Sequence, residues 1–138
     1  MTLNQISVFL ENVSGRLADV TKVLSEGDIN LRAITIADTA DFGILRIVAD
    51  KPEETLALLE KHGFAAKVTK VLAVEIEDKP GALARVMDIF SKNNIDIEYL
   101  YASLEKNQDN AVVVLKVENV EHGQKIVEEH GLISLSEF

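Results

Sequence analysis

The chain has no cysteine and no tryptophan. Without cysteine there is no disulfide, no thiol nucleophile and no thiolate metal ligand. Aromatic residues make up 5% of the chain, so a core must be built mainly from Ile, Leu, Val and Ala. Basic residues are scarce as well: 14 Lys and Arg stand against 23 Asp and Glu, a formal net charge of −9. Phosphate backbones and anionic membrane surfaces are bound by clustered Lys and Arg, so this balance speaks against both as partners. Acidity alone is sufficient to favour solubility. No apolar run approaches the ~20 residues needed to span a bilayer. The start, Met1-Thr2-Leu3-Asn4-Gln5, lacks the basic and apolar regions of a secretory signal. A cytoplasmic protein is the expectation.

What is present is a globular composition, 47% apolar over 138 residues, enough for one ordinary domain or two small ones. Ile6, Val8 and Leu10 alternate as in a half-buried strand. Leu17, Val20 and Leu24 then recur at three- and four-residue spacing, the pattern of an amphipathic helix, with Gly27 placed as its C-cap. Residues 29–37 read as a second strand and 38–41 as a turn. Residues 42–49 form a near-continuous apolar run, which suggests a strand covered on both faces or paired at an interface. Asp50-Lys51-Pro52-Glu53 has the form of a helix start, with a capping side chain and proline in the first turn. That helix runs through Leu56 and Leu59 to His62-Gly63. A fourth strand, 64–69, leads almost directly into the next at Val71.

The same order then recurs. Gly81 stands 66 residues after Gly15, and Ile95-Asp96-Ile97 repeats Ile29-Asn30-Leu31 at the same offset. The turn 107–110 is two residues longer than its counterpart, so His130-Gly131 follows His62-Gly63 at an offset of 68. This is an internal duplication. Each copy has two strand–helix–strand halves, giving an α+β fold of two ferredoxin-like βαββαβ units in tandem, residues 1–69 and 70–138. Antiparallel sheets packed side by side, with helices on one face, are expected. A unit of ~65 residues buries only about 60% of its unfolded surface, so pairing two units covers apolar area that one would expose.

The chemistry concentrates at two strand-to-helix corners, Asn12-Val13-Ser14-Gly15-Arg16-Leu17 and Asp78-Lys79-Pro80-Gly81-Ala82-Leu83. Proline fixes φ, glycine opens conformations closed to other residues, and the first N–H groups of the following helix suit an anion. Read alone, Asn12 and Asp78 also fit helix caps, and the glycines fit turns. Arg16 could reach a ligand carboxylate but reads rather as a solvated first-turn side chain. His62 and His130 hold equivalent helix ends, where a cation suits the helix dipole. No HExxH, metal-ligand spacing or glycine-rich phosphate loop is present, so neither a metal nor a cofactor is expected. Tyr99 and Tyr101 fit either a side-chain pocket or interface packing.

Asp78-x-Pro80-Gly81 with Leu83, its copy around Asn12, Gly15 and Leu17, and Asn94-Ile95-Asp96-Ile97 resemble the ACT domain over the whole chain, as two units. Ser14 stands where the second copy has Pro80. The resemblance implies a regulatory module, not an enzyme, that binds a free L-amino acid between its two repeats. It implies that corner N–H groups hold the ligand carboxylate, and that Asn12 or Asp78 meets the amino group together with a polar residue of the other unit's second strand. One site would pair corner 12–17 with Asp96, the other corner 78–83 with Asn30. If only one is occupied, the corner from Asp78 to Leu83 is the expected one. With no further domain in the sequence, the output would act in trans on a protein partner or through a homo-oligomer. The alternatives are a ligand-free regulatory subunit or interaction module and, on a scaffold that hosts many functions, a small enzyme.

Overall fold

A computed structural model describes residues 2–11, 13–38, 41–104 and 109–137. Its elements are β1 (Leu3–Glu11), α1 (Arg16–Glu26), β2 (Leu31–Asp38), β3 (Phe42–Ala49), α2 (Pro52–Lys61), β4 (Ala65–Glu77), α3 (Ala82–Lys92), β5 (Ile97–Leu104), β6 (Asn110–Val117), α4 (Val120–Glu129) and β7 (Ile133–Ser134). Two compact units emerge: an N-terminal one, Asn4–Thr69, and a C-terminal one comprising residues 70–137 with residues 2–3. Strand order is β2-β3-β1-β4 in the first and β5-β6-β4-β7 in the second. The α+β, ferredoxin-like βαββαβ plan expected from the repeat is therefore present in each unit. The expected break between the fourth and fifth strands is absent, because β4 runs unbroken through Thr69 and Lys70 and serves both units.

Helix periodicity and strand alternation meet in two cores. Ile6, Val8 and Leu10 of β1 and Leu45 and Ile47 of β3 pack with Val20 and Leu24 of α1 and Leu59 of α2. In the second unit Leu72, Val74, Val113 and Leu115 pack with Phe90 of α3 and Ile126 and Val127 of α4. Both helices of a unit thus cover the same sheet face, and each fully buried aliphatic side chain contributes about 1.5–3 kcal/mol. The apolar runs also behave as expected. β6 lies between β4 and β5, and Ala111 to Leu115 are buried without interruption. Ile47, Val48 and Ala49 of β3 are buried in the same way.

Of the expected helix-end residues, Gly27 is borne out and Asp50 is corrected. Gly27 is the C-cap of α1, with φ −86°, and the left-handed residue is its neighbour Asp28 (φ 58°), matched by Asn94 (φ 56°) in the second unit. Asp and Asn tolerate that conformation. Gly27 also packs closely, since a Cβ there would lie 2.3 Å from Leu58 Cδ2 on α2. Asp50 does not cap α2: Lys51 is its N-cap, no side chain caps it, and Asp50 Oδ1 accepts the Asn30 N–H at 3.0 Å. In the second unit Asn119 does cap α4, accepting the His122 N–H at 3.0 Å. His62 and His130 are the C-cap residues of α2 and α4, as their spacing implied. The turns around 38–41 and 107–110 lie partly outside the described residues.

The duplication has also diverged inside the core. Thr55 of α2 is fully buried, its hydroxyl donating to Lys51 O at 2.7 Å, whereas the matching position of α4 is Gly123. A Cβ on Gly123 would approach Leu72 Cδ1 to 2.8 Å and Val117 Cγ2 to 3.1 Å, both on fully buried residues. Gly123→Val is expected to destabilise by about 1–3 kcal/mol through overpacking. In urea titrations the midpoint would fall while the slope stays unchanged.

Candidate functional site

The two corners fold alike. Gly15 (φ 91°, ψ −12°) is the N-cap of α1 and Gly81 (φ 90°, ψ −16°) that of α3, and neither helix start has a side-chain cap. Such a positive φ is what glycine permits and other residues resist. The cap reading of Asp78 therefore fails: its N–H donates to Asp109 O at 2.8 Å, and the acid is exposed. Within the corner, the Lys79 N–H donates to Glu77 O (3.0 Å), Ala82 N–H to Lys79 O (3.3 Å) and Arg85 N–H to Gly81 O (3.0 Å). Leu83 and Ala84 fall in the first helical turn, where N–H groups have no carbonyl four residues back. The first corner repeats this with Arg16 N–H to Val13 O (3.3 Å) and Asp19 N–H to Gly15 O (2.9 Å). Val13, Ser14 and Leu17 are exposed there, and Asn12 lies outside the described residues.

The second corner opens on a cleft of about 470 Å³ inside the C-terminal unit. Its polar lining is Glu75, Glu77, Lys79, Arg85 and Asn110, and its apolar lining includes Ala82, Val86 and Leu132. The acidic groups are engaged: Lys79 Nζ lies 2.6 Å from Glu77 Oε2, and Asn110 Nδ2 donates to Glu75 Oε1 at 3.1 Å. The Lys79 ammonium, hydrogen-bonded to Glu77, together with the charges of Lys79 and Arg85, holds the Glu77 carboxyl below the usual glutamate value. Sequence reasoning missed Glu75, Arg85 and Asn110. For Arg85 a signal existed, because it follows Gly81 by four residues and so shares its helix face.

At the first corner Arg16 departs from expectation. It is not a freely solvated side chain: its guanidinium lies 4.9 Å over the Phe64 ring, and it pairs with Asp19 at 3.7 Å. The second-strand residues occupy separate places. Asn30 lines a depression of about 450 Å³ with Thr21, Ser25 and Asp28, while Asp96 lines one of about 600 Å³ with Ser91 and Asn94. These two match position for position at the 66-residue offset. Both residues are exposed, and Asn30 is held by Asp50, which takes its N–H and returns an N–H to Asn30 O at 3.1 Å. Within the C-terminal unit, corner 78–83 and Asp96 line different cavities. Tyr99 and Tyr101 stand opposite Lys116 and Val114 of β6, outside the cleft lining.

Tandem ferredoxin-like units with a glycine-turned, uncapped strand-to-helix corner in each are what the ACT resemblance implied, and the family model shows it: the chain belongs to the ACT domain pair family, matched over residues 1–137. It is similar to protein BT0572 from Bacteroides thetaiotaomicron, at 38% identity and a TM-score of 0.92, with 98% of this chain and 92% of that one covered. The ligand-free regulatory subunit of aspartate kinase from Thermus thermophilus shares the fold at 18% identity and a TM-score of 0.66, with 91% of each chain covered. Its counterpart from Thermus flavus does so at 19% and 0.62, covering 91% of this chain and 90% of that one. No curated protein matches the chain. Among the described residues no helix is long and apolar enough to cross a membrane, and no group of three His, Asp or Glu side chains is placed to hold a metal.

Two measurements check the corner. Gly81→Ala meets no atom within 4 Å, so its cost is conformational and is expected at about 1–3 kcal/mol, read as a lowered denaturation midpoint. Because the folded state lowers the Glu77 value, the ionised form is the one the fold favours. That contribution is present above the ordinary glutamate pKa and is lost as pH falls through the lowered one. An NMR titration should place Glu77 below an ordinary glutamate, and Lys79→Met should return most of the shift.

Proposed function

We propose that this chain is a tandem ACT-domain sensor that binds a free L-amino acid and passes its occupancy to a protein partner in trans or through self-association. The observation that carries the reading is the uncapped helix start behind a left-handed glycine, built twice, at Gly15 and Gly81. A helix start with unused N–H groups is a ready carboxylate site. A zwitterion also wants an acceptor for its ammonium, which the exposed Asp78 provides. Corner 78–83 is the proposed binding corner, because it opens on a cleft within its own unit.

The regulatory role is supported by family membership and by the shared fold of two chains that are themselves named regulatory subunits. A catalytic role has less support. The carboxyl of the corner with a shifted titration, Glu77, is exposed and salt-bridged rather than desolvated in a cleft. For the partner, strand β2 has only β3 beside it in its unit and presents Ile34 and Ile36 about half exposed, an apolar edge suited to a protein contact.

Ligand binding to the folded state raises the melting temperature by mass action. In a thermal-shift series over the twenty amino acids at millimolar concentration, at least one is expected to raise it, and Asp78→Ala should remove most of that rise. A flat response to all twenty would remove the amino-acid reading and leave the ligand-free interaction module.

A further inference from the structure

The two copies differ where a ligand's side chain would go. In the C-terminal unit the cleft beside the corner is open, lined by Ala82, Leu132 and Arg85. The matching residues of the N-terminal unit are Arg16, Phe64 and Asp19. There Arg16 lies over the Phe64 ring at 4.9 Å and pairs with Asp19 at 3.7 Å. Larger side chains thus stand at the positions that Ala82 and Leu132 hold in the other unit, and a carboxylate stands where the other unit has a guanidinium.

Two groups of the open cleft are suited to anions. One is the helix start at Gly81 and Ala82. The other is Arg85, one helical turn along the same face, about 5.4 Å further on. Arg85 is exposed, and its charge acts on Glu77 without the close contact that Lys79 makes. By contrast, Lys79 is committed to Glu77 and Asn110 to Glu75. Guanidinium matches a carboxylate through paired hydrogen bonds that an amide cannot reproduce. At about 470 Å³ the cleft lies within the range of ordinary small-molecule sites.

We propose that the C-terminal cleft selects a dicarboxylic L-amino acid, with the α-carboxylate at corner 78–83 and the side-chain carboxylate on Arg85, and that the N-terminal counterpart takes no ligand because Arg16 is engaged with Phe64 and Asp19 and no cation stands at the position of Arg85. This rests on the amino-acid reading above and adds to it the ligand class and a stoichiometry of one.

Isothermal titration of the full chain with L-glutamate, L-aspartate, L-glutamine and L-asparagine tests it. The better acid should bind about tenfold or more tightly than its own amide, the discrimination a charge-assisted hydrogen bond supplies, with one molecule per chain. In Arg85→Gln, an exposed and structurally tolerant substitution, the acid should fall to the level of its amide. The proposal is overturned if an amide matches its acid in the unaltered chain, if the ratio survives Arg85→Gln, or if two molecules bind. Binding of amino acids without that preference would remove the selectivity and leave the sensor reading standing. No binding by any amino acid would remove both.

Discussion

The site depends on one backbone constraint, the positive φ of Gly15 and Gly81. At those residues the chain must leave a strand and begin a helix that folds back over the same sheet. A left-handed residue achieves this in a single step, and glycine is the residue that adopts it without steric cost. The same step decides how the helix start is satisfied. With glycine at the N-cap there is no side-chain oxygen to take the first N–H groups, as an Asp or Ser there would. The fold thus leaves donors unspent at the point where the corner meets a cleft, so packing and binding potential share one cause.

Much of this was legible in the sequence, because the duplication supplied an internal comparison. Matching offsets located the elements, and the His-Gly pairs marked equivalent helix ends. Where one residue type serves two purposes, sequence reasoning reached only part of the answer. Gly27 does cap α1, but its neighbour Asp28 takes the left-handed conformation, and the glycine is also close to Leu58 Cδ2, which would have to move for a larger residue. Asp50 looked like a cap for α2, but its carboxylate is spent on Asn30, twenty residues earlier in the chain. Such a partner is set by tertiary folding and leaves no local pattern. Glu75 and Asn110 escaped notice for the same reason: they meet across the β4–β6 pairing, 35 residues apart.

The corners also show how a duplication can divide labour. Copies of one unit begin with the same polar chemistry, and an exposed corner costs little to alter. In the N-terminal copy Arg16 found an internal partner in the face of Phe64, which is 7% exposed and part of that unit's core. An arginine stacked on an aromatic ring gains roughly 0.5–1 kcal/mol even when exposed, while its stem covers apolar surface. The C-terminal copy, with Ala82 and Leu132, has an open cleft with Lys79 and Arg85 in its lining.

Net charge sharpens the point. A chain at −9 repels anions at long range, so an anionic ligand must be held by local interactions. Screening confines surface fields to about 8–10 Å at physiological ionic strength, roughly the reach of the cleft itself. Two acids, Glu75 and Glu77, and two bases, Lys79 and Arg85, line the cleft, and Asp78 adds a third acid at the corner. One of these acids is neutralised by contact, since Lys79 lies 2.6 Å from Glu77. In the proposed reading Arg85 and the helix start meet carboxylates, and Asp78 meets an ammonium group. A molecule carrying both kinds of group would answer all three, whereas a simple anion would leave Asp78 opposed. On that reading the local arrangement, and not the overall charge, would set the preference for an amino acid over another anion.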